Sequence, residues 1–368
     1  EKEMLDAWGP EVYEANQADN EDRTIPKLLE KFVPERVRTA AGPTADVRAL
    51  IRKAIEDSPL DESVTKRTLG KPINRLSKDV ILAATSRAIK VSRGEDDPDD
   101  REHEAFQQIL GPEDLFSERL RNDHDRIRRT LAWKASTTGG LDHVTSGALT
   151  PQLEYALTGT GLGTHLEDVN PLEGIDRSTR VTPMGEGGLP DNDAIPDEAR
   201  DVRPSHFGLV DPSRTVESLR VGVDLNLAAG ARKGRDGRLY GKFRNRDGVD
   251  QWLSADDLAD RVVGFPDDGA DAIEAGGRRF VPVIRGNRDD WADETEVTAR
   301  LPRMGRALSI AANLIPFVAA TKPHRVSMGS RMLTQALPIE NAEAPLALPA
   351  SPDDDGTPAH LAYGRLLG

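Results

Sequence analysis

Residues 302–338 read PRMGRALSIAANLIPFVAATKPHRVSMGSRMLTQALP, a stretch where helix signals, helix breakers and a run of positive charge coincide. Leu308, Ala311, Ala312, Ile315 and Val318 recur at helical spacing and predict one apolar face. Pro316 falls late in that run and should kink or end it. Thr321-Lys322-Pro323 reads as a breaker. A tight basic loop, HRVSMGSR, and a second short element are expected to follow. No Asp or Glu occurs between Glu296 and Glu340, whereas Arg300, Arg303, Arg306, Lys322, Arg325 and Arg331 all fall inside. In a chain of net charge −14 this island is not a product of average composition, and such islands attract phosphates. A solvated helix face would carry the same composition.

The totals set bounds on the rest. A chain of 368 residues has room for two or three domains. Charged residues make up 30%, aromatics only 4%, and there are 32 Gly and 25 Pro, so a loop-rich protein is expected. There is no cysteine, which excludes disulfides and Cys-ligated zinc and fits a cytoplasmic setting. No apolar run approaches transmembrane length, so no membrane partner is expected. The start, EKEMLDAWGPEVYEAN, has neither a signal-peptide layout nor an initiator Met, as in a fragment or a processed end. The acidic total argues against indiscriminate coating of nucleic acid. The scarcity of aromatics argues against a stacking-based single-strand binder.

Residues 1–60 look mostly helical, with Val47, Leu50, Ile51 and Ile55 on one side of a helix. Ser77 caps a second helix that places Leu76, Val80, Ile81, Ala84 and Ile89 together. GEDDPDDREHE then reads as an acidic, solvated linker. Its Asp cluster and single His are residue types that ligate Mg²⁺ or Ca²⁺, but the spacing is not that of an EF-hand. Residues 112–134 predict one long helix. Pro112, Glu113 and Asp114 suit its first turn, Leu115, Phe116, Leu120, Ile127 and Leu131 its buried stripe, and Arg126, Arg128 and Arg129 its C-terminal dipole.

Residues 135–200 are rich in Gly, Thr, Pro and Asp. Gly159-Thr160-Gly161-Leu162-Gly163 has the look of a phosphate cradle but lacks the Lys-Ser/Thr of a P-loop and a preceding strand, so a turn-rich loop is the plainer reading. GARKGRDGRLYGKFRNRDG, residues 230–248, carries seven basic residues against two acidic ones and reads as a β-hairpin with Gly turns. It is either a nucleic-acid contact or an exposed hairpin. WLSADDLADRVVG predicts a short helix-strand unit and FVPVIRG a strand. After Leu348 the chain carries little structural signal.

At this point the residues carry a family likeness. SIAANLIPFVAATKPHRVSMGSRMLTQALPIENAEAPL resembles a segment of the β subunit of multisubunit RNA polymerases, keeping Ile-Pro-Phe, the Arg ahead of Met-Gly, the next Met, Gln-Ala and Pro-Leu in one register. LSKDVILAATSRAIKVSRGEDDPDDREHEAFQQI resembles another segment, although Ala105-Phe106-Gln107-Gln108 stands where the family has Gly-Asn-Arg-Arg. GTGLGTHLEDVNPLEGIDRSTRVTPMGEGGL keeps Asn170-Pro171-Leu172, Arg180 and the Gly-Gly-Leu at 187–189. RDVRPSHFG and DPSRTVESLRVGVDLNLA follow, the latter keeping Glu217 and Gly222 but replacing a Pro-Glu-Gly-Pro-Asn core by residues 216–220. The likeness spans most of residues 76–348, is weak before 76 and is absent after 348.

The resemblance implies an α+β, multi-part polymerase β-subunit-like architecture with long loops. Residues 1–95 would form a lobe-like helical region, 96–150 a protrusion-like helical region, 151–348 a mixed fork-like region lining the active centre, and 349–368 a poorly structured tail. It implies that Arg325, with Arg331 in the same loop, binds the triphosphate of the incoming nucleotide, and that Arg177, Arg180, Glu217 and Arg220 contact nucleic acid. No catalytic residue and no metal would sit on this chain, since the family's Mg²⁺ ions are held by a β′-like subunit. Partners implied are that subunit, a remaining β fragment, α-like or sigma-like proteins, the DNA template and the nascent RNA. The setting is a bacterial or infected-cell cytoplasm, or a virion if the chain is a split, bacteriophage-type β subunit. Thr164, His165, Glu167, Arg177 and Thr182 replace the family's rifamycin-facing residues, which implies resistance. Two other readings compete: a phage structural or scaffolding protein that keeps the fold, and a nucleotide-binding module at Gly159–Gly163.

Overall fold

The computed structural model describes residues 2–16, 21–33, 35–42, 46–138, 140, 146–160, 163, 165, 170–185, 188–266 and 272–336. The tail at 349–368 lies outside them. The chain is α+β and divides into two compact units, Glu1–Arg101 and Glu102–Gly368.

The described part of the first unit is built on helices: α1 (Lys2–Trp8), α2 (Pro10–Ala15), α3 (Glu21–Phe32), α4 (Glu35–Ala41), α5 (Val47–Glu56), α6 (Glu62–Leu69) and α7 (Lys78–Ser92). Asp46 caps α5, its carboxylate accepting from the Arg48 and Ala49 amides, and Ile51 is buried below. Asp61 caps α6 in the same way, and Gly70 ends it with a left-handed φ of 73°. Ser77 caps α7 as its sequence predicts, and Val80 is buried. Ile81, expected in the same stripe, is 42% exposed. α1 and α6 pack on α7, and Trp8 Nε1 donates to Thr85 Oγ1 at 2.9 Å. The acidic turn after α7 is held by its own helix. Arg87 grips Asp99 with both arms of its fork, at 2.8 and 3.1 Å, and reaches Asp96 at 3.3 Å.

The second unit begins with α8 (Pro112–Asn122) and α9 (His124–Thr138), not one long helix. Asp123 breaks it, at φ −88° and ψ 3°. Asn and Asp compete with the helix through their own side chains, and here Gln152 and Arg119 hold the Asp123 carboxylate at 3.1 and 3.3 Å. α10 (Thr150–Glu154) runs into a π-turn, Tyr155–Gly159, where the Arg119 guanidinium lies 4.2 Å from the Tyr155 ring centre. So a helix, not a strand, leads into the Gly159–Gly163 loop. Gly161 and Leu162 lie outside the described residues.

After α11 (Pro171–Ser178) come two sheets. The small one is antiparallel in the order β1 (Arg180–Val181), β3 (Leu225–Leu227), β2 (Val210–Thr215). The large one contains β4 (Arg232–Lys233), β5 (Leu239–Asn245), β6 (Asp250–Ser254), β7 (Val262–Gly264), β8 (Ile273–Ala275), β9 (Arg278–Arg285), β10 (Arg288–Asp293) and β11 (Ala299–Arg300), with α12 (Ala255–Ala259) between β6 and β7. Its order is β10-β9-β7-β11-β5-β4, with β6 on β5 and β8 on β9. The pairs are antiparallel except β11 with β7. The basic hairpin and the helix-strand unit read from sequence are β4-β5 and β6-α12-β7. Phe243, Leu253, Val263, Ile284, Ala299 and Leu301 form the core of this sheet. Gly208, at φ 75°, leaves room for the Phe243 ring, which a Cβ there would meet at 2.8 Å.

The stretch at 302–336 folds differently from its expectation. The first helix shrinks to α13 (Ile310–Asn313), after a 3-10 turn at Met304–Ala307, and HRVSMGSR is not a loop but the first half of α14 (Pro323–Gln335). Pro323 starts this helix at its first turn, where a missing N–H costs nothing. Asn313, fully buried, explains the shortened helix. Its amide donates to the carbonyls of Gly305, Leu308 and Ser309 at 2.7, 3.1 and 2.9 Å, a set available only if the chain curls back. Phe317 follows in the left-handed region at φ 59°, a conformation that costs a non-glycine residue about 1–2 kcal/mol. The buried Asp211 carboxylate ties this curl to β2, accepting from the Ser309 amide at 2.6 Å and from Ser213 N and Oγ at 2.8 and 2.6 Å.

α14 packs on β2, α11 and α13 through Val326, Ser330 and Thr334, all buried at helical spacing. Asn170 joins two helix ends. Its Oδ1 accepts the Leu172 amide at the start of α11, and its Nδ2 donates to the Leu333 and Ala336 carbonyls at the end of α14, at 2.8 and 2.9 Å. Both sets of groups would otherwise lack a helical partner.

Candidate functional site

Three segments meet at a cleft of about 300 Å³. α11 and β1 supply Glu173, Asp176, Arg177 and Arg180; the chain after β2 supplies Val216, Glu217 and Ser218; α14 supplies Arg331, Thr334 and Gln335. Glu173 and Arg177 are four apart on one face of α11, while Arg180 opens β1 just past the helix end and lies near Asp176.

The floor is a buried ion pair. Arg214 and Asp176 are 4% and 2% exposed, and the guanidinium meets the carboxylate as a fork, Nε to Oδ1 at 3.0 Å and Nη2 to Oδ2 at 2.7 Å. Asn226 Nδ2 donates to the Asp176 carbonyl at 2.6 Å and to Oδ1 at 3.2 Å, and Arg214 reaches Thr334 Oγ1 at 3.4 Å. So the buried charges are paired and hydrogen-bonded, the condition under which a protein tolerates them.

The rim is looser. Arg177 pairs with Glu173 at 2.6 Å and donates to the His165 carbonyl at 2.7 Å. Arg180 is exposed and lies 3.7 Å from Asp176. Arg331 Nη1 meets Glu217 Oε2 at 2.7 Å. The Arg331–Glu217 pair is half-exposed and worth little in water, about 0–1 kcal/mol, whereas Arg177 and Glu173 are set deeper. An arriving phosphate can therefore take over Arg331 and the exposed Arg180 at small cost.

Of the six residues singled out from sequence, the fold brings Arg177, Arg180, Glu217 and Arg331 to this one cleft. Arg220 lies elsewhere, donating to Asn192 Oδ1 at 2.9 Å and standing 4.0 Å from Asp224. Arg325 is exposed on the first turn of α14; among the described residues no carboxylate pairs with it, and its recorded contact is Met328 Sδ at 3.6 Å. Six helical positions separate it from Arg331, a rotation of roughly 240°. The basic island is likewise dispersed: Arg300 pairs with Glu294, Arg306 is buried, and Arg331 pairs with Glu217. Acids remote in sequence supply what the stretch itself lacks. Arg214 was missed by the sequence reading, because its partner lies 38 positions away and no spacing rule joins them.

A second cavity, about 120 Å³, includes Glu102, Glu104, Arg203 and His206 in its lining. Burial, and then the charge of Glu102, push the Glu104 carboxyl up to about 7. The His206 ring stands 3.8 Å off, too far for a hydrogen bond. The folded value lies above the ordinary 4.5, so folding favours the protonated acid. Stability should fall as pH rises from about 4.5 through about 7 and level off above. Glu104→Gln is expected to remove that slope, gaining stability at pH 8 and little at pH 5, as read by urea unfolding at both values.

Among the described residues no cluster of three or more His, Asp or Glu is placed to hold a metal, and no helix is long and apolar enough to cross a membrane. His103, from the acidic turn, accepts the Ala105 amide instead. Residues 164–232, which carry α11, β1, β2, β3 and most of the cleft, match the family model for RNA polymerase Rpb2, domain 3. Over 293 residues, 76% of the chain, the sequence is 26% identical to DNA-directed RNA polymerase subunit beta of Ehrlichia chaffeensis. The alignment covers 21% of that protein, so the chain spans about a fifth of its length. The matched domain coincides with most of the segments that build the cleft, and the longer alignment runs well beyond it, so the chain is similar to the RNA polymerase β subunit over most of its length.

Proposed function

We propose that the chain is a β-like subunit, or an N-terminal β portion, of a multisubunit DNA-dependent RNA polymerase. It forms one wall of the active-site cleft and contacts the incoming nucleotide and the RNA–DNA hybrid. The observation that carries this reading is the convergence of Arg177 and Arg180, from the matched residues 164–232, with Arg331 of α14 on one cleft. Guanidinium groups are always charged and offer forked donors to phosphate oxygens. Arg331, held by a weak rim pair, and the exposed Arg180 can exchange a carboxylate for a phosphate. The floor below them is fixed, so the walls keep their spacing while the rim exchanges partners.

The chemistry of nucleotidyl transfer belongs to a β′-like partner, which would hold Mg²⁺ in an Asn-Ala-Asp-Phe-Asp-Gly-Asp motif and stabilise the attacking and leaving oxygens. This chain contributes charge and shape, and alone it should not polymerise nucleotides. A remaining β fragment, α-like or sigma-like proteins, DNA template and nascent RNA complete the proposed assembly. Affinity capture of the chain from producing cells should bring down a polypeptide with that Asp-rich motif. Capture without one would favour a structural protein that keeps the fold.

The assembled polymerase is also expected to resist rifampicin. Arg177 lines the cleft and bonds Glu173 and the His165 carbonyl, and Thr182 bonds Asp224 at 2.7 Å, while Thr164 and Glu167 lie outside the described residues. Inhibition of purified enzyme by sub-micromolar rifampicin would contradict this.

A further inference from the structure

The β4-β5-β6 face, remote from the cleft lining, collects cations around one indole ring. In the antiparallel pairing Lys242 stands opposite Trp252 and Arg232 opposite Tyr240. Tyr240, Lys242 and Arg244 alternate with the buried Leu239 and Phe243, so they share the outward face with Trp252 and Arg232. The Arg232 guanidinium and the Lys242 ammonium lie 5.3 and 5.7 Å from the centre of the Trp252 ring, which is 40% exposed. Arg235, at the tip of the β4-β5 turn, is exposed and has no carboxylate partner among the described residues. The acids on this face are already engaged: Asp250 with Arg244 at 2.9 Å, and Asp236 with the Tyr240 hydroxyl at 2.8 Å.

We propose that this face binds single-stranded nucleic acid, one base stacking on Trp252 while Arg232, Arg235 and Lys242 take the flanking phosphates. Cations gathered here face a net charge of −14, but charges more than about 8 Å away are screened at physiological salt, so the local field decides. A part-exposed indole with cations beside it offers ring surface to any base and positive charge to its backbone, so the contact is indifferent to sequence. A single platform makes it an auxiliary grip on a strand, in keeping with the few aromatics in the chain. The proposal does not depend on the polymerase reading, because the face is complete on this chain.

The test uses the full chain, without partners, and a fluorescein-labelled oligothymidylate followed by anisotropy at low salt. Trp252→Ala should weaken binding about tenfold, the usual loss for a stacking platform, and Trp252→Tyr should restore most of it. The triple variant Arg232→Ala, Arg235→Ala, Lys242→Ala should weaken binding at least tenfold and flatten the salt dependence of what remains by about two counterions. Circular dichroism should show unchanged folding in each. Absence of binding by the parent chain, equal binding by parent and both variants, or preference for polyglutamate over the oligonucleotide would each overturn the proposal.

Discussion

Arg214→Met is expected to cost about 3–5 kcal/mol of stability, the largest loss foreseen for a single residue of the cleft. The change removes the fork that neutralises Asp176 and leaves a carboxylate 2% exposed with the Asn226 amide and, 3.7 Å away, the exposed Arg180 guanidinium. A buried charge without its partner is far more costly than the pair was helpful. Asp176→Leu with Arg214→Met should therefore recover most of the loss, since an apolar pair of similar volume serves the site about as well. Urea unfolding of the parent, single and double variants checks this. A single-variant loss below about 1 kcal/mol would mean that the pair behaves as a surface bridge and that the floor is not fixed.

The second large effect is functional and rests on the polymerase assignment. In the assembled enzyme Arg325→Ala is expected to raise the apparent KM for nucleotides by ten- to a hundredfold, the worth of about 1.5–3 kcal/mol for a hydrogen bond to a charged group. Arg325 is exposed and, among the described residues, has no carboxylate to leave before it can meet a triphosphate. Its removal should change stability by less than about 0.5 kcal/mol, so the kinetic effect is not a folding effect in disguise. Arg331→Ala should act more weakly, because Arg331 must first part from Glu217. An unchanged KM in Arg325→Ala enzyme would remove the nucleotide contact from this residue.

What the sequence made legible follows from how local each cause is. Ser77 as a cap, the β4-β5 hairpin and the β6-α12-β7 unit are set by near neighbours, and each lies where its pattern predicts. The failures share a different cause. The helix expected over residues 308–318 is cut short by the curl whose three carbonyls Asn313 gathers, and the long helix at 112–134 by the partners that Asp123 finds in Arg119 and Gln152. Pro323 was read as a stop when its position makes it a start. The cleft was half legible: Arg177, Arg180, Glu217 and Arg331 drew attention through family register. The carboxylates that hold the rim cations and the Arg214 floor come from positions no window links.

One amide braces the cleft walls in addition to the buried floor. Arg177 stands two turns into α11 and Arg331 close to the far end of α14, and Asn170 is bonded to the beginning of the first helix and the finish of the second. Hydrogen bonds tolerate only a few tenths of an ångström of stretch before they weaken. The two walls therefore cannot part without breaking that strut. The opening works as a fixed gauge, admitting what fits between the walls as they stand rather than closing on what arrives.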